Sequence, residues 1–326
     1  MNILLTGKTG FIGSRIFKQL QINSTINLTY IVRKPVQSSN EDNNQFVITD
    51  LSDSLALNKA VLSQDIVIHA AARAHVLKDE VLNPLVEYRR VNVEGTLNLA
   101  RLAADSGVKR FIFVSSIGVN GNINSKPFTE NDEPNPVESY AQSKWEAELG
   151  LWKIQRETGM EIVIIRPPLV YGLNAPGNFG SLMRWVEKEI PLPLGSINNK
   201  RSLVALDNLV DLIITCIDHP AAANQVFLAG DGLDLSTTEL LQGVAKAMDK
   251  KSRLLPVPPS LLMLGATLLG KKAMAQRLLG SLQVDISKAR DLLGWEPPIS
   301  VEEGLKRCFI DQSKLSVDAI LKQDSH

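Results

Sequence analysis

Tyr140-Ala141-Gln142-Ser143-Lys144 sets a phenol and an ammonium four residues apart, which on a helix places them one turn apart on the same face. The chemistry that suits this spacing is proton transfer at an oxygen. A free phenol has a pKa near 10, too high for efficient acid or base work at neutral pH, and a cation beside it favours the phenolate and brings that value down. Lys144 can be that cation. Upstream, the apolar run Arg110 to Val114 ends in Ser115 and Ser116, and parallel sheets gather ligand chemistry at the carboxyl ends of their strands. Tyr-x-x-x-Lys alone arises easily by chance and then means only an exposed helical pair. Here about twenty-five residues separate it from the strand-end serines, and both follow a third element that names the cofactor class.

That element is the start of the chain. An apolar strand, Asn2 to Leu5, runs into Gly7, Gly10 and Gly13, and an amphipathic helix follows from Phe11 to Leu20. Backbone must turn sharply at Gly7, approach a pyrophosphate at Gly10 and let helix pack on strand at Gly13, with Thr9, Phe11 and Ile12 in the same turn. The expected ligand is a dinucleotide. Gly7-Lys8-Thr9 is no phosphate-binding P-loop, because the glycine required five residues before the Gly-Lys pair is Asn2. At the end of the second strand stand Arg33 and Lys34, where NAD-selective sites usually carry an acid. Positive charge there suits a ribose 2′-phosphate, so NADP is expected, with NAD the alternative.

The elements that must position these groups are legible as an alternation. Strand candidates at Leu28 to Val32, Phe46 to Ile48, Asp65 to His69, Arg110 to Val114 and Glu161 to Ile165 are each followed by a turn or helix. Runs such as Ile162-Val163-Ile164-Ile165 have no polar face, as in strands covered on both sides. The fold class read from this is α/β, a Rossmann-type doubly wound parallel sheet with a smaller C-terminal substrate-binding region. The dinucleotide-binding domain is expected over residues 1–170 with a returning segment near 203–230, which includes the strand candidate Gln225 to Leu228. Substrate binding is expected over 171–202 and 231–326, and Glu302 to Phe309 reads as a late helix.

Lys plus Arg and Asp plus Glu both total 35 among 326 residues, so no overall field draws the chain to nucleic acid. Cys216 and Cys308 lie in helical patterns and suggest buried thiols in a reducing compartment, with no disulfide framework and no metal site. A first strand beginning at residue 2 leaves no room for a signal peptide, so a cytoplasmic location is expected. The apolar run Ser260 to Gly270, followed by Lys271, Lys272 and Arg277, is too short for an integral membrane segment. It reads first as a core-packing helix of the smaller region, and second as a segment lying on a membrane surface.

With these motifs in hand, the chain resembles the extended short-chain dehydrogenase/reductases, and within them the nucleotide-sugar epimerase, dehydratase and reductase group. The resemblance spans nearly the whole length. It rests on Thr6 to Gly13, Thr49-Asp50-Leu51, His69-Ala70-Ala71-Ala72, Asn92-Val93-Glu94-Gly95-Thr96, Ser115-Ser116, Tyr140 to Lys144 and Arg166-Pro167-Pro168-Leu169-Val170-Tyr171-Gly172. It implies that Ser116 binds the reacting oxygen, Tyr140 exchanges its proton and Lys144 also holds the nicotinamide ribose. It further implies that Asp50 and Leu51 flank the adenine, and that Ala70, Ala71, Ala72, Asn92 and Pro167 contact the cofactor. Asn178, Leu192-Pro193-Leu194-Gly195 and Arg201 are similar to the group's segment for a nucleoside diphosphate, with Arg201 clamping the phosphates and uridine as the base. A further phosphate arginine has only Arg277 as a candidate.

Group members that remove water across C5 and C6 of the sugar carry an Asp-Glu pair where this chain has Ile117 and Gly118. Hydride chemistry at C4 remains. It is expected to be reduction of a UDP-4-keto-6-deoxy-N-acetylhexosamine by NADPH in surface polysaccharide biosynthesis, the alternative being a UDP-glucose or UDP-N-acetylglucosamine 4-epimerase with bound NAD. A dinucleotide-binding sensor without turnover would have no need of Ser, Tyr and Lys together. His69 and His75 are expected in structural hydrogen bonds, and Glu130, Asp132 and Glu133 in a solvated loop. The helical stretches Val86 to Ala104 and Ser139 to Glu157 would, by the resemblance, pair in a homodimer.

Overall fold

The computed structural model describes residues 1–35, 44–74 and 83–309. Its strands in chain order are β1 (Asn2–Thr6), β2 (Asn27–Val32), β3 (Gln45–Val47), β4 (Ile66–His69), β5 (Arg110–Val114), β6 (Glu161–Arg166), β7 (Leu169–Tyr171), β8 (Arg201–Ala205), β9 (Gln225–Leu228) and β10 (Asp234–Leu235). Seven of them form one parallel sheet in the order β3-β2-β1-β4-β5-β6-β9. The late strand β9 reaches this sheet by pairing with β6, Val226 opposite Ile164.

Helices cover both faces, as the all-apolar strands require. They are α1 (Phe11–Gln21), α2 (Ser54–Val61), α3 (Pro84–Tyr88), α4 (Gly95–Asp105), α5 (Ser139–Thr158), α6 (Asn178–Glu187), α7 (Leu206–Asp218), α8 (Thr237–Ala247), α9 (Pro259–Leu268), α10 (Lys272–Leu279), α11 (Ser287–Leu293) and α12 (Val301–Arg307). Side chains alternate along each strand, so Ile3 and Leu5 join one core with Ile16, Leu20 and Ile213, while Leu4 joins another with Leu99 and Leu151. Neither core could form if one sheet face met water.

Strand order reverses between β1 and β4, and ligands of open parallel sheets sit in the crevice outside that reversal. The glycine turn follows β1 and the Ala70-Ala71-Ala72 segment follows β4, so the two line that crevice together. A three-stranded sheet, β7 parallel to β8 and β10 antiparallel to it, carries a separate core with Tyr171, Phe179, Leu203 and Leu241. Asp207 at the start of α7 ties this part to the main sheet, pairing with Arg15 of α1 at 2.7 Å and Arg307 of α12 at 2.9 Å.

One expectation fails. The run Ser260 to Gly270 does form a helix, α9, but it is not a core element: none of its residues is buried, and Leu261, Leu264 and Leu268 stand 58%, 58% and 80% exposed. Cys216 and Cys308 are buried free thiols, and burial pushes both up to about 12.

Candidate active site

Gly7 leaves β1 with φ +81°, in the left-handed region, and a Cβ there would sit 2.7 Å from the Ala70 carbonyl carbon. A Cβ at Gly13 would sit 2.1 Å from the Gly7 oxygen, so the turn lies directly on the first turn of α1. Gly10 is roomier, its Cβ meeting only the Gly7 oxygen at 3.2 Å. No side chain caps α1 and its first turn holds no acid, so its leading N–H groups remain for an anion. Phe11 reaches toward Gly172 and Ile12 packs on the main core, which leaves their amides on the crevice side. Thr9 is exposed beside them. This cradle of close-packed glycines and uncapped amides fits the pyrophosphate of a dinucleotide.

Arg33 and Lys34 stand exposed just past β2, next to β1 in the sheet. Asp50 accepts from the Ser52 amide at 3.0 Å and pairs with Arg90; the backbone hydrogen bond, then the arginine, holds its carboxyl below the usual range. The half-buried Leu51 side chain packs onto Gly95 and its carbonyl accepts from Asn98 at 2.7 Å.

After β4, the Ala70 backbone lies against Gly7, Ala71 donates to Thr6 Oγ1 at 3.2 Å, and Ala72 is exposed. His69 is fully buried between two hydroxyls. Thr96 gives its one proton to the Asn92 carbonyl at 2.8 Å, so it accepts from His69 Nε2 at 2.9 Å, leaving Nδ1 to accept from Thr6 Oγ1 at 2.7 Å. Burial, with Lys144 nearby, pushes its pKa down to about 3. His69 is therefore a neutral structural bridge, and His75 lies outside the described residues. Asn92 departs from its expected role of touching a cofactor. It is 1% exposed; its amide clamps the Arg73 backbone (2.8 Å from N, 3.1 Å to O) and donates to Ser143 Oγ at 3.0 Å. It shapes the segment after β4 and joins it to α5. The π-helical turn Arg89–Glu94 that carries it is a geometry often found at functional sites.

Lys144 is 2% exposed and donates to the Val114 carbonyl at 2.9 Å, which fixes α5 against the end of β5. Tyr140 stands one turn earlier, half-buried, its ring 6.0 Å from that of Tyr88 and its centroid 6.0 Å from Lys144 Nζ. The expectation that Lys144 lowers the phenol pKa does not hold for the chain by itself. Burial, and then Tyr88, pushes Tyr140 above its ordinary value, and the Lys144 ammonium is turned to the Val114 carbonyl. Burial in turn brings Lys144 down to about 7, Glu148 partly opposing it. Ser116 caps the short turn Ile117–Val119; its Oγ accepts from the Gly118 amide at 3.1 Å, leaving its own proton to give. A Cβ at Gly118 would meet Ser116 Oγ at 3.3 Å and Ala141 Cβ at 3.1 Å, so the serine turn is seated on the first turn of α5 beside Tyr140. Pro167 is buried, its carbonyl accepting from Ile117 at 3.0 Å.

Sequence reasoning missed what lies under this pair. Glu148 is completely buried and receives Arg166 through Nε at 3.1 Å and Nη2 at 2.6 Å, and Ser115 Oγ at 2.5 Å; Arg166 Nη1 continues to Asn120 at 3.0 Å. The signal was Glu148 four residues after Lys144 on the same helical face. Glu130 also corrects its assignment to a solvated loop: it accepts from the Leu228 amide at 3.0 Å, and burial raises its pKa.

On the far side, Arg201 is half-buried and donates from one nitrogen to the carbonyls of Arg277 (2.5 Å) and Gly280 (3.2 Å). Burial lowers its pKa, and among the described residues no carboxylate pairs with it. A desolvated guanidinium with donors to spare suits a diphosphate. Arg277 pairs with Glu138, the residue before α5, at 2.7 Å, tying α10 to the catalytic helix. Leu192 does not fit a side-chain contact with substrate: it is 8% exposed and packed in the smaller core. Asn178 begins α6.

Comparison with known proteins agrees with this layout. Residues 3–230 match the family model described as the NAD dependent epimerase/dehydratase family. A UDP-glucose 4-epimerase of Vibrio cholerae is 49% identical over 311 residues, covering 94% of each chain. An N-acetyl-alpha-D-glucosaminyl-diphospho-ditrans,octacis-undecaprenol 4-epimerase of Escherichia coli O157:H7 is 29% identical, covering 94% of this chain and 93% of its own. The solved UDP-glucose 4-epimerase of Thermotoga maritima, with UDP-glucose, superposes with a TM-score of 0.76 at 24% identity, covering 97% of this chain and all of that one.

Proposed function

The chain belongs to the NAD-dependent epimerase/dehydratase family, and on that premise we propose that it inverts the hydroxyl at C4 of a UDP-hexose. The observation that carries this is the seating of the Ser116 turn on the first turn of α5 beside Tyr140, with Lys144 held to the Val114 carbonyl at the end of β5, a strand one removed in the sheet from the glycine strand β1. The glycine turn and the leading amides of α1 would hold a nicotinamide dinucleotide, which would supply the hydride acceptor and donor for C4.

The residues do the rest. Tyr140, as its phenolate, takes the proton of the C4 hydroxyl as the ketone forms, and gives it back to the same oxygen when hydride returns to the opposite face of C4. Its raised pKa in the free chain favours the neutral phenol, the form that gives a proton to an alkoxide, so the oxidising half of the reaction requires the phenolate that a charged Lys144 favours. Ser116 donates to the same oxygen and stabilises charge developing there. Lys144, buried and close to neutral pH in its titration, responds to small electrostatic changes in the site and draws the phenol toward the phenolate when charged. Arg201 binds the diphosphate. Ile117 and Gly118 supply no acid or base for a dehydration across C5 and C6.

A second reading rests on Arg33 and Lys34, exposed past β2 where a 2′-phosphate would lie. It is a one-way NADPH-dependent reduction of a UDP-4-keto-6-deoxy-N-acetylhexosamine. One experiment separates the two. Purified protein with NAD is given UDP-glucose or UDP-N-acetylglucosamine and the products are resolved by chromatography. A mixture of C4 epimers, lost in Tyr140→Phe with cofactor binding retained, supports epimerisation. No epimer, together with stoichiometric NADPH oxidation by the keto sugar, overturns it in favour of reduction.

A further inference from the structure

Helix α9 has the composition of an interior segment in an exterior position. Its ten residues, Pro259 to Leu268, carry no charge, and Ser260 and Thr267 are its only polar side chains. A helix apolar all round is normally buried in a core or in lipid. Here Leu261, Leu264 and Leu268, spaced i, i+3 and i+7, form an outward face that continues through Leu269 at 74% and Met274 at 61% exposure. The inward side is met mainly by α10 and, through Leu262, by the smaller core.

The charge around this face is one-sided. From Lys250 to Val284 the sequence carries Lys250, Lys251, Arg253, Lys271, Lys272 and Arg277 and no aspartate or glutamate, in a chain whose acids and bases balance overall at 35 each. Arg253 and Arg277 are paired with Glu189 and Glu138 from other elements. Lys271 and Lys272, at the turn between α9 and α10, are exposed and make no ion pair among the described residues. Leucines beside unpaired lysines complement a surface that is apolar below and anionic above.

We propose that the α9–α10 hairpin docks the protein on an anionic lipid bilayer, with Leu261, Leu264 and Leu268 in the acyl boundary and Lys271 and Lys272 at the headgroups. A second copy of the chain fits less well. A two-fold interface sets the same patch against itself, bringing two sets of unpaired lysines together with no acid in the segment to separate them. No helix among the described residues is long and apolar enough to cross a membrane, so the contact is a surface one. The last carbonyls of α10 hold Arg201, so docking would bring the diphosphate end of the site close to the bilayer.

Flotation of the full chain with vesicles tests this. Vesicles of phosphatidylcholine with about one-third phosphatidylglycerol should carry the protein upward, and pure phosphatidylcholine should carry much less. Each lysine near such a surface is worth roughly fivefold in partitioning, so Lys271→Ala/Lys272→Ala should lower the partition coefficient onto the anionic vesicles by about 25-fold. Leu264→Glu/Leu268→Glu, at positions already in water, should abolish binding without loss of fold. Failure of the wild type to float, or flotation of both variants equal to that of wild type, overturns the proposal. So does a fall in particle mass of the leucine variant on size exclusion, which would give the face to a second copy.

Discussion

Arg166→Met would expose the energetic role of the ion pair under the catalytic helix. The side chains of Glu148 and Arg166 are 0% and 3% exposed, so neither charge has water to fall back on. Removing the guanidinium strands a carboxylate that then keeps only the Ser115 hydroxyl as a hydrogen-bond donor among its present partners. Breaking a buried pair from one side costs about 3–5 kcal/mol. At roughly 2.1 cal/mol/K per residue, a chain of this length has an unfolding entropy near 0.7 kcal/mol/K, so the loss corresponds to a Tm about 4–7 °C lower if it unfolds as one unit. Replacing both partners, Glu148→Leu/Arg166→Met, leaves no orphan charge and should recover most of that loss. The assay is urea unfolding by circular dichroism for the two variants and wild type. An Arg166→Met protein within about 1 kcal/mol of wild type, outside the range above, would refute the reasoning. Glu148→Gln adds a functional readout. Glu148 is the group that opposes the burial-driven fall of Lys144, so without its charge Lys144 loses its proton at lower pH and the alkaline limb of kcat/KM should move down.

Lys144 also ties stability to pH. Its pKa is about 7 when folded against an ordinary 10.5, so between those values the unfolded chain holds a proton that the folded chain has released. This group's contribution to stability therefore rises from pH 7 toward 10.5 and is least favourable below 7. Wild type should gain on Lys144→Met over that interval by a few kcal/mol, read as a divergence of urea midpoints at pH 6.5 and pH 9; parallel curves would contradict it. Gly13→Ala drives a Cβ to 2.1 Å from the Gly7 oxygen and should abolish dinucleotide binding measured by calorimetry. Arg201→Ala should raise KM for the UDP-sugar by about tenfold or more while changing kcat less, as expected for loss of a charge-assisted bond worth about 1.5–3 kcal/mol; an unchanged KM would remove Arg201 from the site. Arg33→Ala should weaken NADPH far more than NADH if a 2′-phosphate binds there, and equal effects on both would discard that role.

The order of glycine turn, alternating strands, strand-end serines and Tyr-x-x-x-Lys was readable along the chain because each is local. A left-handed glycine, a covered strand and an i,i+4 pair are properties of a few neighbouring residues, and the strands of the seven-stranded sheet lie within a residue or two of where the pattern places them, whereas β7, β8 and β10 of the smaller sheet carry no such signal. The same locality explains the errors. Asn92 sits inside a motif that suggests ligand contact, yet its side chain turns inward, because the partners that claim it, Arg73 and Ser143, are distant in sequence. The protonation of Tyr140 and Lys144 depends on burial, which no spacing reports. Helix α9 is the converse case: its composition asks for full burial, and only the packing of the whole chain reveals that none of its residues receives it. Residue type and spacing thus determine which groups can react and in what class of fold, since backbone geometry and periodicity are short-range. Which charges are paired, which are desolvated and which surfaces are left open depends on contacts between segments a hundred residues apart, and these exist only once the chain has folded.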